Sequence, residues 1–163
     1  MSSVLGIYAR KNISFSKGKG CYLYDLNGEQ YLDFVSGIAV NSLGHCHKHL
    51  VKIIHEQSQK LWHVSNAFII PEQEKLAKRL TDCTFADFVC FQNSGTEAIE
   101  ASIKIVRKYF HAIGKPNKKR IITLEGAFHG RTIAALFAAN NPKHVEGFDP
   151  KVDGFDQVPF ADH

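Results

Sequence analysis

Apolar residues recur at helical spacing between His47 and Leu61. Leu50, Ile53, Ile54 and Leu61 share a face that Lys52, Glu56 and Lys60 avoid, which predicts an amphipathic helix. A second helix is expected from Pro71, which suits a first helical turn. Glu72 and Glu74 complement its positive end, and Leu76 and Leu80 are expected to face inward. Ahead of both, residues 21–34 are aromatic-rich runs flanking Asn27-Gly28. That dipeptide tolerates positive φ at both turn positions and predicts a β-hairpin.

The rhythm changes from Asp87. Residues 87–92 form a nearly continuous apolar run, read as a strand. Residues 96–113 place Ile99, Ile103, Val106, Phe110 and Ile113 on one helical stripe, stopped by Gly114 and Pro116. A second strand is expected over 120–124. The loop Gly126-Ala127-Phe128-His129-Gly130 then leads into a helix over 131–139, ended by Asn140-Asn141-Pro142. A weaker strand signal lies near 158–160. Strand, glycine loop and helix, twice over, predict a parallel α/β architecture. Ligands of such sheets sit outside the carboxyl ends of the strands, where both loops lie. The chain therefore reads as a hairpin-and-helix segment over residues 1–58, then the first part of an α/β domain over 59–163. Two or three strands are few for a parallel sheet, so the domain is expected to be cut short.

Composition narrows the function classes. The 163 residues are 44% apolar and 22% charged with net charge +4, the balance of a soluble globular chain. The basic run Lys115–Arg120 lacks aromatic residues and is read as a solvated loop, so no nucleic-acid partner is expected. Cys21, Cys46, Cys83 and Cys90 form no C-x-x-C pair, which fits reduced thiols and a cytoplasmic location. No run approaches the roughly 18 apolar residues of a membrane span, and the N-terminus lacks a signal-peptide pattern.

Three stretches carry candidate chemistry. Ser94 with Glu97 is a capping box, while Gly95 and the free N–H groups of the following helix suit a phosphate; the two readings are compatible. Gly126–Thr132 is either a plain strand-to-helix turn or a loop in which Phe128 offers a ring face and Arg131 grips a carboxylate. In Gly44-His45-Cys46-His47-Lys48-His49 the spacing is unlike that of metal sites, and His47 and His49 do not share a helix face, so no metal is expected. His111, His144 and His163 are isolated.

These stretches together carry a family resemblance. Phe91-Gln92-Asn93-Ser94-Gly95-Thr96-Glu97-Ala98-Ile99-Glu100-Ala101, with Lys104 and Arg107-Lys108-Tyr109 beyond, resembles the phosphate-loop region of class III aminotransferases. These are pyridoxal-phosphate enzymes of fold type I. Gly126–Thr132 resembles their second hallmark. Tyr31-Leu32-Asp33-Phe34 and the stretch from Ser36 to His47 are similar to the acetylornithine branch. The resemblance implies an incomplete fold-type I transferase, the start of its parallel-sheet large domain plus the N-terminal hairpin-and-helix segment. It implies that Ser94, Gly95 and Thr96 bind the phosphate of pyridoxal 5'-phosphate. Phe128 would stack on the pyridine ring, with His129 in the same cofactor loop. Arg131 would hold the substrate carboxylate, and the Ser36–Val40 turn, through Gly37, Ile38 and Val40, would line the substrate pocket.

Two departures affect detail: Lys48 stands where the family usually has proline, and Ile99 where asparagine is common. A third is larger. The family's Schiff-base lysine and the aspartate that pairs with the pyridinium lie beyond the position of residue 163, and no lysine here sits in a matching motif. No catalytic residue is therefore assigned, and the chain alone is expected not to transaminate. In the intact family the terminal amine of N-acetylornithine passes to the cofactor and then to 2-oxoglutarate, in homodimers. The expectation is thus an N-terminal part of such an enzyme acting on amino acids and 2-oxo acids, with a separately encoded C-terminal half as one conceivable partner. The alternative is a non-catalytic phosphate-ligand or partner-binding remnant of a split or decayed gene.

Overall fold

The structure is a computed structural model that describes residues 3–161; His163 lies outside them. The chain separates into two compact units, Met1–Glu74 and Lys75–His163. The division falls beyond the residue-58 boundary read from the sequence.

The first unit holds an antiparallel sheet of β1 (Phe15–Lys19), β2 (Tyr22–Asp25) and β3 (Gln30–Leu32), in the order β1-β2-β3. The hairpin formed by β2 and β3 is the expected one, with Tyr22 opposite Leu32 and Tyr24 opposite Gln30. Its turn differs from the expectation, because Gly28 takes a positive φ of 84° and Asn27 does not. The reason is Asp25: its Oδ1 accepts from the amides of Asn27 (2.8 Å) and Glu29 (2.9 Å) and folds Leu26-Asn27-Gly28 into a three-residue loop. Strand β1 went unread, since Phe-Ser-Lys-Gly-Lys has no apolar alternation; its residues pair with β2 instead.

After the sheet comes α1 (Ser36–Ala39), a single turn of left-handed hand. Its φ values are 49°, 64°, 67° and 62° at Ser36, Gly37, Ile38 and Ala39. For a residue other than glycine this conformation costs about 1–2 kcal/mol. Helix α2 (Lys48–Ser58) follows as expected, and α3 (Pro71–Asp82) begins at its proline. Leu50, Ile53 and Ile54 on α2 stay exposed, and Leu76 and Leu80 on α3 do not face inward but are exposed as well. Periodicity decides which side chains share a helix face; burial requires something to cover that face.

In the second unit α4 (Gly95–Ala112) packs with β4 (Ile121–Leu124), α5 (Ile133–Ala139), α6 (Pro142–Val145) and β5 (Phe155–Val158). Strands β4 and β5 run parallel, with Ile121 opposite Phe155 and Leu124 opposite Val158. The core comprises Ile103 of α4, Phe137 and Ala138 of α5 and Phe155 of β5, with Ile99, Ile121, Ala134, Val145 and Val152 against it. Buried Thr123 fixes α5 to the sheet. Its hydroxyl donates to the Ala138 carbonyl (2.7 Å) and accepts from the Gln157 side chain (3.3 Å).

Three expectations are corrected here. Residues 87–92 are not a strand, and Phe88 is 91% exposed, because an apolar run becomes a strand only by pairing and no partner exists among the described residues. The last strand ends at Val158 rather than running through 158–160; Pro159 has no N–H to offer a ladder. On α4, Val106 and Ile113 remain exposed, so the expected stripe is buried chiefly at Ile103, near the middle of the helix. No helix among the described residues is long and apolar enough to cross a membrane.

Candidate functional site

Ser94 is extended at the start of α4 (φ −148°, ψ 161°), and its Oγ accepts from the Glu97 amide at 3.2 Å. The Glu97 carboxylate returns to Ser94 Oγ (3.3 Å) and to the side-chain amide of Asn93 (3.4 Å). The Ser94 half of the capping box is therefore formed and uses the Glu97 N–H, while the Glu97 carboxylate takes the Ser94 hydroxyl in place of the Ser94 backbone N–H. The N–H groups of Gly95 and Thr96 make no hydrogen bond among the described residues. An 18-residue helix directs its positive end at this point. Beside Gly95 the space is open: apart from its chain neighbours and the backbone of its own helix, no atom of the described residues lies within 4 Å of where a Cβ would stand.

The loop after β4 descends onto the same place. Gly130 is buried with φ 130°, and a Cβ there would stand 2.9 Å from Thr96 Cβ and overlap its hydroxyl. Glycine is what allows the two backbones to approach. Next in the chain, the Arg131 amide donates to Thr96 Oγ1 at 3.2 Å, and Thr132 Oγ1 donates to Glu100 Oε1 at 2.5 Å. The loop at 128–132 is thus joined to the turn at 94–96 by one hydrogen bond and one close packing contact, and to α4 further on by a second hydrogen bond, at Glu100. Phe128 is 66% exposed, and the Arg131 guanidinium lies 5.0 Å from its ring centroid. The Nε2 atom of His129 is buried without a partner among the described residues.

Gly37, Ile38 and Val40 belong to the first unit, on or beside α1, and Ile38 and Val40 are 85% and 75% exposed. The entry to α1 is held by Asp33, whose Oδ1 accepts from the amides of Val35 (2.9 Å) and Ser36 (2.8 Å). Its Oδ2 meets His45 Nε2 at 2.7 Å. The hydrogen bond from His45, followed by that from the Ser36 amide, holds the Asp33 carboxyl below its ordinary range.

Sequence reading missed two of these relationships. Asp33–His45 and Glu100–Thr132 join residues far apart in the chain, where no local spacing announces a partner. The sequence offers no partner for His45, and in the structure that partner is the Asp33 carboxylate.

With this geometry in hand, comparison with known proteins is informative. The profile of the family Aminotransferase class-III matches residues 7–163. Acetylornithine aminotransferase of Agrobacterium fabrum is 58% identical over 155 residues, 95% of this chain and 39% of that protein. Acetylornithine aminotransferase 1 of Bradyrhizobium diazoefficiens is 55% identical over 98% of this chain and 39% of its own length. The chain thus spans about two fifths of the length of the curated relatives it matches. Among solved structures, an ornithine aminotransferase from Toxoplasma gondii with partial occupancy of PLP at its active site superposes with TM-score 0.92 and 29% identity. That match covers 98% of this chain and 38% of the other. An omega transaminase from Pseudomonas jessenii in complex with PMP gives TM-score 0.84 and 30% identity over 91% of this chain and 34% of the other. The expected fold type I is borne out, as far as the chain extends, and the chain belongs to the class III aminotransferase family.

Proposed function

We propose that the chain is the N-terminal part of an acetylornithine-type aminotransferase, which passes the terminal amine of N-acetylornithine to 2-oxoglutarate with pyridoxal 5'-phosphate. The observation that carries this reading is the junction of Thr96 with Arg131 beside two unengaged helix amides.

The residues present fit the cofactor. The Gly95 and Thr96 amides suit a phosphate at a helix N-terminus, and the open space beside Gly95 admits it. Thr96 Oγ1 accepts from Arg131 and keeps its own hydrogen to donate to a phosphate oxygen. The exposed ring of Phe128 suits stacking on a flat heterocycle, and His129 Nε2 has a hydrogen bond still to make. Arg131 rests on Phe128 through a cation–π contact, worth about 0.5–1 kcal/mol at exposed sites. A substrate carboxylate offers charge-assisted hydrogen bonds of about 1.5–3 kcal/mol, enough to draw Arg131 off the ring. Gly37, Ile38 and Val40 are assigned to substrate contact by their resemblance to the acetylornithine branch.

When bound, pyridoxal phosphate supplies an electron sink for the negative charge that develops on the reacting carbon. The proton transfer that must accompany it has no candidate lysine in a matching motif of this chain. The chain alone is accordingly proposed to bind cofactor without turning over. Completion would come from a separately encoded C-terminal half, since a second copy of this chain lacks the same lysine; the homodimer is the proposed state of the completed enzyme. Residues 1–58 then belong to the small domain, 59–163 to the cofactor domain, and the site of action is the cytoplasm.

Adding pyridoxal phosphate to the purified chain and following its absorbance tests the reading. Saturable binding without transfer from N-acetylornithine to 2-oxoglutarate is the expected result. Turnover by the chain alone would overturn the proposed inactivity, and absence of binding would overturn the cofactor assignment.

A further inference from the structure

Four successive residues with φ between 49° and 67°, three of them not glycine, do not hold themselves in place. Something must impose the conformation, and the contacts identify Asp33. One carboxylate oxygen takes the amides of Val35 and Ser36, the two peptides that enter the turn. The other takes His45 Nε2. His45 is itself anchored, since it exchanges two backbone hydrogen bonds with Gly20, at 2.9 and 2.7 Å. Its ring lies against Gly18, where a Cβ would stand 2.7 Å from His45 Cβ. The Asp33 amide is tied to the sheet through the Cys21 carbonyl at 2.8 Å. The Asp33 side chain is 5% exposed, so the carboxylate is enclosed by the groups it serves.

What the turn does with this support is to hold apolar side chains in the open. Ile38 and Val40 are both β-branched, and Phe34 and Val35 beside them are also exposed. Strain in the backbone and exposure of hydrocarbon are both unfavourable, and neither is relieved by packing among the described residues of this unit. Their coincidence points to a contact surface.

We propose that Asp33, oriented by His45, is a positioning residue that imposes the left-handed turn and so places Ile38 and Val40 as an apolar wall for the substrate's hydrocarbon chain. The inference rests on the reading above that the Ser36–Val40 turn meets the substrate. Neither Asp33 nor His45 touches the substrate. Asp33→Ala removes every acceptor and releases the turn. Asp33→Asn keeps a carbonyl oxygen for the two amides and retains it.

The test uses the full chain labelled with 15N and 13C. The amides of Ile38 and Ala39, bonded to the Val35 carbonyl, and of Val40 and Asn41, bonded to the Ser36 carbonyl, report on the turn by hydrogen exchange. One-bond Cα–Hα couplings at Ile38 report the sign of φ. The expected result is exchange at least about tenfold faster at these four amides in Asp33→Ala, with φ at Ile38 reversed. The sheet amides Leu23 and Tyr31 should be unchanged, and both turn effects restored in Asp33→Asn. A variant lacking Asp33 acceptors that keeps wild-type exchange and positive φ overturns the proposal, as does equal loss of protection across the whole sheet. N-acetylornithine is then added to each protein. Shifts at Ile38 and Val40 in wild type and Asp33→Asn, absent in Asp33→Ala, support the positioning role. If exchange behaves as expected but N-acetylornithine moves neither residue in wild type, the support of the turn by Asp33 stands and the substrate reading falls, taking the positioning role with it.

Discussion

The Arg131 amide donates to the hydroxyl of Thr96 at 3.2 Å, joining the loop after β4 to the first turn of α4 across 35 positions of sequence. Two segments that each carry a candidate motif are thereby brought into contact, and the consequences can be tested separately.

Gly130 is the position where the junction is least tolerant. Its φ of 130° is unsuited to other residues, and an added Cβ meets Thr96. Gly130→Ala is expected to destabilise the chain by roughly 1–3 kcal/mol, from backbone strain and displacement of the loop. The midpoint of urea unfolding measures it, and an unchanged midpoint would show that the loop is not pinned there.

Gly95 separates the cap from the cradle. A Cβ there meets no protein atom, and alanine suits a helix better than glycine, so stability should hold or rise by up to about 1 kcal/mol in Gly95→Ala. Pyridoxal-phosphate binding should weaken nonetheless, because the side chain occupies space at the open amides. Thr96→Val, which loses the hydroxyl but keeps the shape, should weaken it about tenfold, the equivalent of one charge-assisted hydrogen bond. Equilibrium titration of both variants checks these outcomes.

How much of this was legible beforehand follows from what local sequence encodes. Helices α2, α3 and α4 were readable because apolar spacing, Pro71 and the Ser94–Glu97 box are local signals. The 94–96 and 128–131 segments could be singled out because glycine and polar residues interrupt apolar runs. Their meeting was not readable from spacing alone, since Thr96–Arg131 and Glu100–Thr132 are made by the fold. The left-handed hand of α1 was hidden as well, because Ser36, Ile38 and Ala39 do not favour it. It is supported by Asp33 and by His45, twelve residues apart in sequence. The strand expected at 87–92 failed for the converse reason: its local signal is strong, but strands exist only in pairs.

Thr123 tests how α5 is held. Replacing it with valine keeps the volume but removes one donor to the Ala138 carbonyl and one acceptor for the Gln157 amide, which still bond each other at 3.1 Å. A loss of about 0.5–1.5 kcal/mol is expected, the net contribution of one intramolecular hydrogen bond whose partners stay paired with each other. Thermal melting followed by circular dichroism measures it, and a neutral effect would place the anchor of α5 elsewhere.

The start of the parallel pair has an acid-sensitive clasp. Arg120 reaches Asp156 with two nitrogens, at 2.9 and 2.6 Å, and Asp153 at 3.0 Å. Arg120 holds the Asp156 carboxyl below its ordinary value of 3.8. For Asp153 the Gly154 amide is the first cause of the same shift and Arg120 the second. Because the folded values are lowered, the stabilisation is present above the ordinary value and lost as pH falls through the folded ones. Melting temperatures between pH 5 and 3 should therefore fall less steeply in Arg120→Met than in wild type, and 1 M salt should narrow the difference. Parallel profiles for the two proteins would remove Arg120 from the account.

The most direct measurement is a titration of the 15N-labelled chain with pyridoxal phosphate, following every backbone amide. Binding at the junction predicts saturable shifts that are largest at Gly95, Thr96 and Arg131. Saturation with those three amides unmoved, or no saturation at all, would contradict it.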